Sequence, residues 1–456
     1  MNVIRNIKAL ANEIAPALVK LPPLIIFSKA FRKQLKFLTE SQYWSRSEIE
    51  EYQLSTLRAL LEHAYENVPY YKKLLRKIGI RPQEIDDFSS LKLLPTLDKD
   101  TLRKNLPRFI ARNINLRHLK VAWTSGTTGK PLQVYWDKDE LMKEWAFAIH
   151  QFSRVGCTPY DLRIEIRGPP IMSLKGYEYV FLTRALRLCS IIKSKKQVEY
   201  YIKLIRKVRA KFLQGHPSAI TSLSKIVREY EIDTSTLSIK AILFTSEIVY
   251  DWQRKIVEEV FKARTLSHYG QVEHVATAAE CEHSRMYHFV PQYGIVEIDP
   301  KTKEIIATGF LNWAMPFIRY RTTDVVEGTI LWNGKCRCGR NYYPLVERIS
   351  GRLGDIIVTP QGALIPPTAF TDVVYGKRSV NNMQIVQEKE DLLIIYVEPI
   401  PGKSISDTEL KRIRYQTRKI VGNEVKIEIE VVPQIERGPT GKFKWVVSKI
   451  SGRFIR

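Results

Sequence analysis

Hydrophobic residues in the first quarter of the chain recur with the spacing of helices. Leu54, Leu57, Leu60 and Leu61 lie three or four residues apart, which predicts a helix with one buried face within residues 47–78. This pattern is interrupted at Asn67-Val68-Pro69 and resumes after it. A further break, Leu94-Pro95-Thr96-Leu97-Asp98-Lys99, predicts a loop that ends at a helix N-cap. We therefore predict a helical N-terminal segment of about 90 residues.

The pattern changes after residue 121, where short β-rich runs alternate with helical segments. Residues 241–245 form an apolar run, a helical segment extends from there through Phe261, and residues 263–267 form the next β-rich run. Alternation of this kind is typical of α/β layers built on a mixed sheet.

The last hundred residues have a different pattern. An apolar run at 392–397, a helical segment at 406–420 and strict alternation at 425–431 predict a small α+β module. The predicted fold is therefore α/β, with a large multi-layer domain of residues 1–352 and a small α+β C-terminal domain of residues 355–456.

Composition indicates a folded and strongly basic protein. The chain has 456 residues, of which 44% are hydrophobic, and this excludes a disordered chain. Its formal net charge is +24, and the segment 184–211 contains ten basic residues and a single acid, Glu199. Such a segment attracts polyanions, although a solvated helix face has the same composition. A basic polyanion-binding protein is therefore an alternative to an enzyme.

The N-terminal residues bear on location. The apolar residues between Leu10 and Phe27 are interrupted by charges and prolines, which fits neither a signal peptide nor a membrane-spanning helix. Peripheral contact with an anionic membrane stays open, because four cations follow: Lys29, Arg32, Lys33 and Lys36. Five cysteines, an odd number, favour a reducing compartment, and we expect the cytoplasm.

The most distinctive short segment is Thr124-Ser125-Gly126-Thr127-Thr128-Gly129-Lys130-Pro131. Glycines that allow close backbone approach, together with hydroxyls, backbone N–H groups and a cation, form a cradle for phosphate oxygens. The spacing differs from a Walker A loop, which has four residues between its glycines and Ser or Thr after the lysine. A turn between two strands is the alternative interpretation.

Four further segments carry candidate chemistry. They are Tyr269-Gly270-Gln271-Val272-Glu273, Tyr320-Arg321-Thr322-Thr323-Asp324, Ser350-Gly351-Arg352-Leu353-Gly354-Asp355 and Gly438-Pro439-Thr440-Gly441-Lys442-Phe443-Lys444. In this order, together with the glycine-rich segment, they resemble the adenylate-forming superfamily. In particular, the chain resembles its phenylacetate-CoA ligase branch, which includes relatives in capsular polysaccharide biosynthesis. Tyr43-Trp44-Ser45 and Val68-Pro69-Tyr70-Tyr71 extend this resemblance to nearly the whole chain.

The resemblance implies ATP-dependent activation of a carboxylic acid, aryl or arylacetic acids included, to an acyl-adenylate. Transfer to CoA then gives a thioester, AMP and pyrophosphate. The implied cofactors are ATP, Mg²⁺ and CoA. It also implies a C-terminal domain that is mobile, rotating about a hinge at the domain boundary between the two half-reactions.

The resemblance assigns roles to individual residues. Those implied to bind the nucleotide are Thr124, Ser125, Gly126, Thr127, Thr128, Gly129 and Lys130 at the phosphates, Ser246, Glu247, Tyr269 and Gly270 at the adenine, and Asp324 at the ribose. Those implied to take part in catalysis are Glu273 as the Mg²⁺ ligand, Arg352 at the ribose or phosphate, and Lys442 between the substrate carboxylate and the α-phosphate.

Some positions depart from the family pattern. Val272 replaces a Thr or Ser, Gly354 stands at the hinge, and Phe443 follows the lysine where arginine is more common. These departures bear on the second half-reaction more than on the first. An amine, a hydroxyl or a carrier protein, for example in surface polysaccharide biosynthesis, is therefore an alternative acyl acceptor to CoA.

Cysteines and histidines suggest a metal site. Cys336 and Cys338 are separated by one residue, and Cys281 precedes two histidines. Such a set can complete tetrahedral Zn²⁺ coordination, and the resemblance implies a structural zinc. The preferred ligands are Cys281, His288, Cys336 and Cys338, with His283 as the rival of His288. Buried free thiols are the alternative.

Overall fold

The structure is a computed structural model. It describes residues 22–85, 87–124, 132–167, 176–192, 194–332, 336–352, 355–365, 367–370, 373, 379–437 and 443–450. The helices are α1 Lys29–Ser41, α2 Arg46–Asn67, α3 Pro69–Ile78, α4 Lys99–Asn105, α5 Lys138–Phe152, α6 Lys195–Val208, α7 Pro217–Glu229, α8 Asp251–Phe261 and α9 Asp407–Val421. The strands are β1 Lys120–Trp123, β2 Gln133–Trp136, β3 Arg163–Ile166, β4 Tyr177–Val180, β5 Ala185–Leu188, β6 Phe212–Gly215, β7 Ala241–Thr245, β8 Arg264–Gly270, β9 Thr277–Glu280, β10 Tyr287–Phe289, β11 Gly294–Ile298, β12 Glu304–Gly309, β13 Tyr320–Leu331, β14 Leu345–Arg352, β15 Ile357–Val358, β16 Leu364–Ile365, β17 Val380–Lys389, β18 Leu392–Pro399, β19 Lys426–Val431 and β20 Val446–Ser448.

The chain divides into two compact units. Unit 1 contains Met1–Leu24, Cys157–Ser267 and Ser350–Arg456, and unit 2 contains Ile25–Gly156 and His268–Ile349. Within the described residues, no helix is both long enough and apolar enough to cross a bilayer. The α/β class is confirmed. The boundary at residues 352–355 stays a prediction, and the proposed hinge Gly354 lies outside the described residues.

The helices of unit 2 begin and end where the sequence predicts. Ser45 and Glu48 form a capping box at the start of α2. The stripe Leu57, Leu60 and Leu61 is fully buried in the core. Pro69 begins α3, because its ring prevents α2 from continuing and suits the first turn of a new helix. The predicted interruption is therefore the α2–α3 junction.

Residues 94–99 form a loop that is fixed to the start of β13. The Leu97 N–H donates to the Arg319 carbonyl at 2.9 Å, and the Arg321 N–H donates to the Leu97 carbonyl at 2.8 Å. Asp98 then caps α4 by accepting from the Thr101 N–H at 2.7 Å. The loop and the helix N-cap were both predicted, and these bonds hold Lys99, the first residue of α4, against the β-sheet of unit 2.

The sheet of unit 2 has the strand order β11-β12-β13-β14-β10-β9. Pairings β11–β12, β12–β13, β10–β14 and β9–β10 are antiparallel. Its main core joins apolar residues of α2 and α3 to those of the sheet. A separate hairpin, β1–β2, brackets the glycine-rich segment.

Unit 1 contains a mostly parallel sheet with the order β7-β6-β3-β5-β4. The pairings β6–β7, β3–β6 and β3–β5 are parallel, and β4 is an antiparallel edge strand. Helices α6 and α7 bury their apolar faces against this sheet. In such sheets ligands bind beyond the carboxyl ends of the strands. His216, which follows β6, and Ser246, which follows β7, both lie at that edge.

The C-terminal residues form the predicted α+β module. Its sheet has the order β19-β18-β17-β20, and α9 begins at a capping box of Ser406 and Glu409. The module shares a hydrophobic core with α8, which contributes Trp252 and Ile256. The strands and the helix predicted for residues 392–397, 406–420 and 425–431 are confirmed as β18, α9 and β19.

Candidate active site and candidate metal centre

Glu273 is a buried carboxylate with two polar neighbours in unit 2. The Tyr320 hydroxyl donates to Glu273 Oε1 at 2.7 Å. Lys99 Nζ lies 3.7 Å from the same oxygen, and the two side chains are 17% and 6% exposed. A charge this deeply buried requires such partners, because water is largely excluded. Lys99 is therefore a site residue that the sequence motifs did not indicate.

Tyr269 and Asp324 are hydrogen-bonded to each other. The Tyr269 hydroxyl donates to Asp324 Oδ2 at 2.8 Å. Burial and the neighbouring Asp324 carboxylate raise the pKa of Tyr269, so the phenol stays protonated and remains a donor. The segments 269–273 and 320–324 are thus joined by two side-chain hydrogen bonds, Tyr269 to Asp324 and Tyr320 to Glu273.

The segment between Tyr269 and β9 is fixed by its neighbours. His274 adopts a left-handed backbone with φ of 52° and stacks on Trp136, with ring centroids 4.5 Å apart. His274 Nδ1 lies 2.8 Å from Glu140 Oε1. Burial raises the pKa of Glu140 and lowers that of His274, which favours a neutral pair.

Val272 also helps to fix the segment between Tyr269 and β9. Its carbonyl accepts a hydrogen bond from Trp136 Nε1 at 3.0 Å, and its side chain packs against the core of unit 2. The departure from Thr or Ser at this position therefore replaces a hydroxyl with apolar packing.

Thr124 closes the β1–β2 hairpin at the base of the glycine-rich segment. Its hydroxyl accepts from the Leu132 N–H at 2.9 Å, and its own N–H donates to the Leu132 carbonyl at 2.9 Å. The other predicted phosphate-binding residues, Ser125, Gly126, Thr127, Thr128, Gly129 and Lys130, lie outside the described residues.

In unit 1, Glu247 connects separate parts of the chain. Its carboxylate accepts from the Ser218 N–H and hydroxyl, both at 3.1 Å, and from the Phe443 N–H at 2.6 Å. Ser246, just before it, has a left-handed backbone with φ of 72°. Phe443 is the residue after Lys442, so the end of the lysine motif meets the segment predicted at the adenine. Lys442 itself lies outside the described residues.

The boundary motif also belongs to unit 1. Lys444 Nζ pairs with Asp355 Oδ1 at 3.1 Å. Gly351 has φ of 116°, and a Cβ there would lie 2.4 Å from Ile248 Cδ1, so this position requires glycine. Arg352 ends β14, and its side chain is outside what the structure describes.

The four predicted metal ligands lie together in unit 2. Ligand atoms of Cys281, His288, Cys336 and Cys338 are all within 4.8 Å of one another. The Cys281–Cys336 Sγ distance is 3.5 Å, and Cys338 Sγ lies 3.3 Å from His288 Nε2. Tetrahedral zinc with bonds of about 2.3 Å to sulfur separates its ligands by roughly 3.7 Å, so the donors fit this ion.

The titratable groups of this cluster affect one another. A hydrogen bond from Cys338 lowers the pKa of Cys281 and raises that of Cys338. Burial lowers the pKa of His288, which keeps the imidazole neutral and able to ligate. The rival His283 instead donates its backbone N–H to Cys281 Sγ at 3.4 Å.

Two arginines lie beside the cluster. Arg154 is buried and donates to the carbonyls of Ala279 and Glu280 at 2.6 and 2.9 Å. Arg340 pairs with Glu282 at 2.9 Å. Three thiolates around Zn²⁺ carry a net negative charge, which these cations would partly balance.

Several known proteins are similar to this chain. Residues 357–449 match the family described as the CapK C-terminal domain. The chain is 22% identical over 436 residues to Protein CapK of Staphylococcus aureus, covering 93% of each chain. It is 26% identical over 403 residues to the phenylacetate-coenzyme A ligase of Escherichia coli, covering 83% of this chain and 90% of the relative. A solved 2-hydroxyisobutyryl-CoA ligase has the same fold, with a TM-score of 0.70 and 16% identity over 90% of this chain and 92% of the ligase.

The chain is a relative of CapK and of the phenylacetate-CoA ligases. Its fold is that of the adenylate-forming enzymes, and the resemblance drawn from the sequence motifs is confirmed. The similarity to CapK extends over nearly the whole chain, and the match to the CapK C-terminal family covers residues 357–449.

Proposed function

We propose that this relative of CapK and the phenylacetate-CoA ligases activates a carboxylic acid with ATP and transfers the acyl group to CoA. The observation that best supports the proposal is that two motif segments of unit 2 meet through two hydrogen bonds, Tyr269 to Asp324 and Tyr320 to Glu273. Together they supply an aromatic ring, a buried carboxylate and a hydrogen-bond acceptor.

In the first half-reaction, a carboxylate oxygen of the acid attacks the α-phosphorus of ATP. The bond from that phosphorus to the pyrophosphate oxygen breaks, giving the acyl-adenylate and pyrophosphate. Mg²⁺, when bound at Glu273, would offset the charge of the phosphates. Asp324 would accept from the ribose, and Lys442 would stabilise the charge that develops where the carboxylate meets the phosphate.

In the second half-reaction, a thiolate attacks the acyl carbon and AMP leaves. CoA is the proposed acceptor, as in the names of the ligase relatives. The similarity to CapK over 93% of both chains supports a second candidate, in which an amine, hydroxyl or carrier protein of surface polysaccharide biosynthesis takes the acyl group.

Zinc and location complete the proposal. Cys281, His288, Cys336 and Cys338 would hold one structural Zn²⁺, which would fix the turn before β14 to β10. None of the five cysteines forms a disulfide, and three of them belong to this cluster. We expect the protein to act in the reducing cytoplasm.

Isotope exchange between pyrophosphate and ATP tests the first half-reaction. With ATP, Mg²⁺ and a panel of carboxylic acids, at least one acid should support exchange. Lys442→Ala should lower the exchange rate about 10²–10³-fold, as expected for loss of a preorganised charge at the reacting centre. Lys449→Ala is the matched control, because Lys449 is a surface lysine paired with Glu388.

Two outcomes would contradict the assignment. Unchanged exchange in Lys442→Ala would remove that lysine from the mechanism. Failure of every acid, combined with tight nucleic-acid binding at physiological salt, would instead favour the polyanion-binding alternative. Addition of CoA with detection of a thioester separates CoA from the other acceptors.

A further inference from the structure

A surface near the N-terminus combines exposed apolar residues with a row of cations. The 3-10 helix Leu24–Phe27 leaves Leu24 56% and Phe27 64% exposed. Helix α1 follows at once and carries exposed cations at i, i+3, i+4 and i+7, which places them on one side of the helix. We call the cations Lys29, Arg32, Lys33 and Lys36 the basic stripe.

The fold of unit 2 holds the basic stripe toward solvent. Phe31 and Leu38, on the opposite side of α1, are buried, and α1 packs against α5. Ser28 caps α1 by accepting from the Phe31 N–H at 3.3 Å. Arg32 Nη1 donates to the Ile26 carbonyl at 2.8 Å, which fixes the 3-10 helix to the first turn of α1. Phe27 is thus held next to the basic stripe.

The basic stripe has little acidic compensation. The sequence contains no Asp or Glu from Ile14 to Thr39. Within the described residues of α1, the ion pair is Lys36–Glu40 at 3.7 Å, with side chains 77% and 63% exposed, so water and salt screen it strongly. Helix α6 is also basic, but two of its cations form ion pairs with acids: Lys195 pairs with Glu199, and Arg206 pairs with Asp233.

We propose that this surface docks the protein on an anionic phospholipid membrane. The basic stripe would lie against the phosphate headgroups, and Leu24 and Phe27 would enter the boundary between headgroups and acyl chains. Charge and apolar insertion act together here, and each alone is too weak for stable attachment. The docking is peripheral, since no described helix can cross a bilayer.

Vesicle co-sedimentation of the full chain tests the proposal. Vesicles of phosphatidylcholine alone are compared with vesicles that also contain phosphatidylglycerol, at low and physiological salt. The wild-type protein should bind only the anionic vesicles. Replacing Lys29, Lys33 and Lys36 by Gln should weaken binding roughly fivefold per cation removed. Leu24→Ser with Phe27→Ser should weaken binding at physiological salt, where the charge contribution is screened.

The matched control removes three exposed lysines from α6, in Lys196→Gln, Lys203→Gln and Lys207→Gln. This variant loses the same net charge and should bind anionic vesicles nearly as well as wild type. Equal loss in both charge variants, or no effect of the two Ser substitutions, would overturn the proposal in favour of nonspecific attraction by net charge. Displacement from vesicles by RNA acting through the basic stripe would assign the surface to nucleic acid. Thermal melting of each variant confirms that it is folded.

Discussion

At the scale of single residues, the Glu273 carboxylate is defined by its partners. Lys99 and Tyr320 reach it from α4 and from the start of β13, and both are positioned by the backbone bonds of Leu97. An ammonium so close to the proposed magnesium ligand can offset phosphate charge as well as hold the carboxylate in place.

Lys99→Met should lower the rate of pyrophosphate exchange by about tenfold or more, because it removes one buried charge next to Glu273. The Mg²⁺ concentration that gives half-maximal exchange should also change, since the ammonium no longer competes for the carboxylate. Lys104→Met, at an exposed position of the same helix, is the control and should leave both quantities as in wild type. Identical magnesium dependence in wild type and Lys99→Met would refute the role.

The difference between Lys99 and the motif residues shows what the sequence could predict. Tyr269, Glu273 and Asp324 were named because they stand at fixed places in short segments that resemble a family. For Lys99 the sequence pattern indicates only a position after a helix N-cap, since the contact with Glu273 is a tertiary one. The Glu140–His274 pair was missed for the same reason. Local patterns do not contain such distant pairs.

At the scale of elements, the periodicity of hydrophobic residues is sufficient to predict a helix or strand that buries one face. The α2 stripe, the α2–α3 junction and the alternating strand β19 were all placed from the sequence. Strand order does not follow from this periodicity, because β14 pairs with β10 although β11, β12 and β13 lie between them in sequence. That order decides which cysteines meet, because Cys336 and Cys338 lie in the turn before β14.

Cys338→Ala should lower the zinc content well below one ion per chain, because loss of one of the four ligands opens the site and weakens the binding of Zn²⁺. The melting temperature should fall as well, since the metal fixes the turn to β10. Metal content by mass spectrometry and thermal melting measure the two effects.

Further variants test whether the loss of zinc is specific to the four proposed ligands. Cys189→Ala removes a thiol outside the cluster and should retain the metal. His283→Ala should also retain it, whereas His288→Ala should lose it. Full zinc content in Cys338→Ala would show that Cys338 is not a ligand, and absence of zinc from the wild-type protein would show that the cluster is a group of free thiols.

At the scale of the whole molecule, unit 1 combines residues from two distant parts of the chain. Lys225 on α7 is buried, and its Nζ donates to the carbonyls of Val380 and Asn381, both at 2.8 Å. Ser222 donates to Asn381 Oδ1 at 2.8 Å, and Lys225 Nζ lies 5.0 Å from the centroid of the Trp252 ring. These contacts attach the C-terminal module to α7 and α8, and the rotation of the module that we propose from the resemblance would break them.

The charge of Lys225 should make the stability of the protein depend on pH. Burial lowers the pKa of Lys225 from 10.5 to about 7, whereas the two carbonyls and the Trp252 ring favour the ammonium. Above the folded pKa, the unfolded chain binds a proton at this lysine that the folded chain has lost. The free energy of unfolding therefore gains a contribution that rises with pH, by up to about 1.4 kcal/mol per pH unit between roughly 7 and 10.5.

Lys225→Met should abolish this contribution, and at the alkaline end of the range, where the folded lysine is neutral, loss of the donor to two buried carbonyls should cost about 1–3 kcal/mol of stability. Urea denaturation at several pH values from 7 to 9.5 measures both effects. Lys411→Met, at an exposed position of α9, should keep the pH dependence of the wild-type protein. The free energies of unfolding of wild type and Lys225→Met could instead change in parallel with pH. That result would show that Lys225 stays charged throughout this range and that it holds the C-terminal module as an ammonium.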